Sequence, residues 1–184
     1  MSDFTNILQA VEQGDPKAAG ELLPLVYAEL RKLAAFKLSQ QSPNQTLQPT
    51  ALVHEAYLKL LGDGDHSWND RRHFHFAAAE AMRHILVDRA RRKATARHGG
   101  DLQRVNIDNV ILATETTDEN ILLMNEALEK LAAHDAQLAE LVKLRFFAGL
   151  TFMQTAEFLG LSDRTAKRMW VYARAWLFKE IKSL

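Results

Sequence analysis

Apolar residues recur along most of this chain at steps of three and four, the spacing that keeps them on one side of an α-helix. The steps run from Phe4 to Gln13 and from Pro16 to Leu38, broken at Gly14-Asp-Pro16, where Pro suits the first position of a new helix. Ser39 to Thr46 is polar with Pro43 inside it and reads as a loop. Gln48-Pro-Thr50 opens a third helix, Ala51 to Leu61, with Leu52, Ala56 and Leu60 on one side; Gly62-Asp-Gly-Asp65 ends it. Ser67 to Phe76 mixes basic and aromatic residues, and a long helix is predicted from Ala77 to about Ala96. Gly99-Gly100 closes this first part. Residues 101–120, rich in Asp, Asn and Thr, read as a linker before two more helices, Ile121 to Ala133 and Ala136 to Phe147. The expectation is an all-α chain of two helical domains, residues 1–100 and 121–184.

The most explicit stretch follows. Thr151 can cap a short helix, and Gln154 three residues later completes a capping box. Phe152, Ala156 and Leu159 share its inner face, and Gly160 stands where a left-handed C-cap is expected. Ser162 caps the next helix, whose inward stripe is Ala166, Met169, Trp170, Ala173 and Leu177. Arg164, Thr165, Lys167, Arg168, Val171 and Arg174 are left facing out. Small Ala156 allows the close helix approach that a helix-turn-helix requires. The plainer alternative is a helical hairpin with a solvated basic face.

Composition changes the picture little. Only four prolines and eight glycines among 184 residues suit an all-helical fold, and with no cysteine neither a disulfide framework nor a zinc ribbon is available. No apolar run approaches a membrane span and the N-terminus lacks a signal-peptide pattern, so a cytoplasmic protein is expected.

Charge changes it more. The formal net charge is zero, yet residues 67–104 hold nine basic and four acidic residues and residues 136–184 hold eight and four. Between them, residues 105–135 hold one basic and seven acidic residues, and residues 1–66 hold five and eight. Two basic blocks around an acidic one suggest two places that meet a polyanion. In the first block, Trp68, Phe74 and Phe76 stand beside Arg71, Arg72 and the run Arg89-Ala-Arg-Arg-Lys93. That composition can stack unpaired bases while neutralising phosphates, although aromatics at this spacing also serve as core. Part of the basic run complements the helix C-terminus.

Enzyme motifs are missing. His54-Glu55 has Leu58 where a helical zinc motif needs its second histidine, and His73 and His75 would lie about 200° apart on a helix. No Gly-rich phosphate loop or serine nucleophile elbow is present. No catalytic residue, metal or cofactor is therefore expected.

With these residues in view, the chain resembles the bacterial sigma-70 family, specifically the extracytoplasmic-function (ECF) type that keeps only the second and fourth sigma domains. It is most similar to the planctomycete-rich ECF-like subfamily, through Leu22-Leu-Pro-Leu-Val-Tyr27, Thr46 to Tyr57, Ile85 to Arg92, Leu144-Arg-Phe-Phe147 and Ala173-Arg-Ala-Trp-Leu177. Ala166, where a β-branched residue is usual, and His75-Phe76-Ala77 depart from the pattern.

The resemblance implies core RNA polymerase and promoter DNA as partners, with anti-sigma proteins as a further class. It assigns His54, Glu55, Tyr57 and Lys59 to the polymerase clamp. Trp68, Arg71, Arg72, Phe74, Phe76, Arg89, Arg92 and Lys93 go to the −10 element and its opened strand. Arg164, Thr165, Lys167, Arg168, Val171 and Arg174 go to the −35 element. Two rivals stay open: a helix-turn-helix regulator with an N-terminal sensor or dimerisation domain, and a metal-dependent helical hydrolase.

Overall fold

The computed structural model describes residues 3–38, 49–62, 70–96 and 117–184. Eight α-helices lie among them: α1 (Asp3–Glu12), α2 (Pro16–Leu38), α3 (Pro49–Gly62), α4 (Arg71–Ala96), α5 (Asp118–His134), α6 (Ala136–Val142), α7 (Phe152–Leu159) and α8 (Asp163–Lys182). A π-helical turn, Lys143–Phe147, continues α6. The described residues contain no strand, so the fold is all-α.

The helices pack largely in chain order, α1 on α2, α2 on α3 and α3 on α4. Leu22, Val26, Leu30 and Leu33 bury one face of α2, and Leu52, Val53, Ala56 and Leu60 bury one face of α3. Each such large side chain contributes ~1.5–3 kcal/mol over leaving it in water. α4 is the shared element: it packs on α3 and also on α5 and the π turn. Phe74, Ala78, Ala79, Met82, Leu86 and Ala90 are buried along it. α8 closes the C-terminal part against α5, α6 and α7. One apolar core therefore runs from Phe4 in α1 to Ile181 in α8.

Three boundaries differ from the sequence expectation. α4 begins at Arg71, not Ala77, because the Asp70 carboxylate accepts the His73 backbone N–H at 2.8 Å and caps the helix. The run His73-Phe-His-Phe76 hides the helical period there. α5 begins at Asp118, since the Thr117 hydroxyl accepts the Asn120 N–H at 3.2 Å, so the last three linker residues are helical. Residues 101–116 of the linker lie outside the described residues. The predicted helix from Ala136 to Phe147 widens to π geometry from Lys143 onward.

Candidate nucleic-acid interface

The helix-turn-helix is built from its caps. The Thr151 side chain accepts the Gln154 N–H at 3.2 Å, and the Gln154 side chain accepts the Thr151 N–H at 2.9 Å. The capping box read from the sequence is complete. Gly160 ends α7 with φ 66° and ψ 32°, the left-handed conformation. Two residues later Ser162 caps α8, its hydroxyl accepting the Thr165 N–H at 3.1 Å. Leu141, Ala156 and Ala166 form a small core between the helices. Ala166, a departure from the family pattern, thus faces another alanine's helix where bulk would hold α7 and α8 apart.

This packing turns the outer face of α8 to solvent. Arg164, Lys167, Arg168 and Val171 are exposed, and Arg174 is half-buried. Thr165 is also half-buried, its hydroxyl 2.8 Å from that of Ser162, so it serves the cap. Lys167 pairs with Asp163 at 2.6 Å one turn earlier. The sequence reading left out Tyr172, which is exposed beside Val171.

It also left out Arg145. This side chain donates to the Leu150 carbonyl and lies 4.0 Å over the Phe152 ring and 5.4 Å from the Trp170 ring. Burial lowers its pKa, but a guanidinium stays charged. One cation thus joins the π turn, the start of α7 and the inner face of α8.

The basic stretch on α4 is more divided. Arg72 and Arg92 are exposed, as is Arg91, outside the predicted set. Arg71 lies 3.5 Å from Glu29, Arg89 pairs with Glu55, and Lys93 lies 3.1 Å from Asp118. Phe74 corrects the sequence expectation. It is wholly buried, 5.0 Å from the Phe4 ring and 5.4 Å from that of His75, so it is core with no face open to a base. Phe76 is half-buried against the same core, and Trp68 lies outside the described residues.

The family model for ECF sigma factors matches residues 1–183. The chain belongs to the ECF sigma factor family. Comparison with curated proteins and with solved structures returned no match. Members of this family act in transcription initiation, with core RNA polymerase, promoter DNA and anti-sigma proteins as partners in general. No helix among the described residues is long and apolar enough to cross a membrane.

On this sigma factor the residues assigned to polymerase lie on the outer side of α3. His54 and Lys59 are exposed, and Tyr57 is half-buried with its ring 6.2 Å from Tyr27. Glu55, also in the assigned set, is tied to Arg89 of α4. Leu58 between them is an exposed apolar residue outside the assigned set.

His75, the second departure from the family pattern, is nearly fully buried. Its Nδ1 lies 2.7 Å from the Arg71 carbonyl and its Nε2 3.5 Å from Glu29, while its ring stands 4.6 Å from Phe158 of α7. Its hydrogen bond to Glu29 outweighs the cost of burying that carboxylate. With Lys32 and Arg71 adding to it, the Glu29 pKa falls from its ordinary 4.5 to about 2.

Proposed function

We propose that the chain directs promoter-specific initiation by binding core RNA polymerase through α3 and reading two promoter elements with its two basic regions. In this reading residues 1–100 and 121–184 work as separate units joined by residues 101–120. His54, Tyr57 and Lys59 offer the polymerase contact, with Glu55 available once Arg89 is released. Arg72 and Arg92 meet phosphates near the −10 element, joined by Arg71, Arg89 and Lys93 as their internal partners let go, and Trp68 and Phe76 are the rings for an unstacked base. A stacked base contributes ~1–3 kcal/mol. Phe74 supports the fold instead.

At the −35 element α8 enters the major groove, where Arg164 and Arg168 near its start reach base edges and a bidentate Arg–guanine contact discriminates by ~1–3 kcal/mol. Lys167 and Val171 line the same face, Thr165 holds its start, and Arg174 meets phosphate. The observation that carries the reading is the fully capped helix-turn-helix, with unburied cations on α8, in a chain matched along its length by the ECF family. No reaction is assigned to the chain itself.

The test is transcription by core polymerase on a promoter library with and without this protein. Promoter-specific transcripts that depend on both are expected. Tight operator binding with no effect on polymerase would instead indicate a helix-turn-helix regulator with an N-terminal sensor or dimerisation domain.

A further inference from the structure

Val171 stands in the middle of the outer face of α8 and is 66% exposed. At about 100° per residue, Arg164, Arg168 and Val171 fall within about 60° of one another and form one stripe pointing away from the core. On one flank lie Arg174 and Lys167, the latter paired with Asp163 at 2.6 Å. On the other flank is Tyr172. An apolar side chain is thus set among cations on the face that meets solvent.

Neither the helix nor the core accounts for a valine there. Its branched Cβ loses rotamer freedom against the preceding turn, so valine is a poorer helix former than the alanine, lysine and arginine around it. Being exposed, it buries little surface in return. What it meets outside the chain explains it better. Base edges in the major groove carry one apolar group, the 5-methyl of thymine, and a valine side chain has no atom with which to read a donor or an acceptor. Phosphates held by the surrounding cations would bring the floor of the groove against Val171. One turn on, Ala175 is exposed and too short to hold α8 off the bases. Arg164 precedes Val171 by seven residues, about 10 Å along the helix or about three base-pair steps of ~3.4 Å.

We propose that Val171 is a specificity-determining residue that reads thymine by its 5-methyl group, at a T·A pair within about three steps of the pair read by Arg164. The thymine preference rests on the sigma-factor reading, in which α8 lies in the major groove of the −35 element.

The full chain with core polymerase is first used to select −35 elements from a randomised library, and the enriched element should carry a T·A pair in that window. Each of its thymines is then replaced singly by deoxyuridine, which differs only in lacking the methyl. At one of them wild-type affinity should fall about fourfold, the worth of one apolar carbon taken out of water. Val171→Ala should bind the thymine element about fourfold more weakly and be indifferent to deoxyuridine at that pair. Val171→Thr keeps one of the two methyls and should retain part of the sensitivity. Tyr172→Ala should keep it whole, since Tyr172 points about 100° away toward the groove wall. All three positions of change are on the surface, so melting curves should stay near that of wild type.

Deoxyuridine tolerated by the wild type at every thymine would overturn the proposal, as would an enriched element with no thymine in the window. A sensitivity that survives in Val171→Ala or vanishes in Tyr172→Ala would overturn it too. In each of these cases a selected −35 sequence leaves the sigma-factor reading standing. No enriched −35 sequence at all would refute that reading, and the role of Val171 with it.

Discussion

Replacing Gly160 tests whether the turn of the helix-turn-helix is held by backbone conformation alone. A Cβ built at this residue meets no atom within 4 Å, so side-chain crowding contributes nothing. Any cost comes from φ 66°, where an L-residue sets its Cβ against the backbone. That conformation costs ~1–2 kcal/mol, and the stiffer unfolded chain of an alanine variant returns ~0.4–1 kcal/mol. Gly160→Ala should therefore destabilise by up to about 1.6 kcal/mol, lowering Tm by up to about 6 °C at this chain length. Gly160→Asn should lose only a few tenths, since asparagine tolerates the left-handed region. Gly160→Val should lose more than alanine. Urea unfolding of the full chain gives the order at constant m. Equal losses for alanine and asparagine, or none for valine, would show that the turn relaxes freely and that the argument from φ is wrong.

Glu29 makes a pH prediction. Its pKa falls on folding from 4.5 to about 2, so its stabilisation is fully present above 4.5 and is lost as pH falls through 2. The stability gap between wild type and Glu29→Gln should close as pH falls from 4.5 to 2; a gap that widens over that range would reverse the assignment. Arg145→Met removes a charge-assisted hydrogen bond and the stacking on Phe152, and should cost about 2–4 kcal/mol by urea unfolding. A loss below about 1 kcal/mol would show that the aromatic packing holds the helices without it. On α8, Arg164→Ala or Arg168→Ala should relax preference at particular −35 positions in a selection from a randomised library. Arg174→Ala should weaken all sequences and flatten the log–log salt slope by ~0.9, and wild-type logos and slopes in all three would remove α8 from DNA reading.

Where a helix begins and ends by local chemistry, the residues say so directly. Thr151, Gln154, Gly160 and Ser162 cap or turn the chain through bonds spanning at most a few positions, and each does in the structure what its type and spacing predict. The inward stripes of α2, α3 and α8 were legible for a related reason, since each buries one face at one period. The family was legible in motifs spread along the chain, and its model spans nearly all of it.

α4 was less legible because it is buried on two sides, and a helix between two partners shows no single apolar stripe. Its first turns looked like an exposed aromatic-basic segment. Only Phe4, 70 positions earlier, reveals that Phe74 is core. The partners of these cations were hidden too. Arg89 meets Glu55, Arg83 meets Asn125 and Lys93 meets Asp118, pairs separated by 25 to 42 positions, so residue spacing carries no sign of them. What the sequence by itself determined was where most helices lie and, for those buried on one side, the face each offers. What only the tertiary structure decided was which of those charged faces are already occupied, because that depends on distances between residues the chain holds far apart.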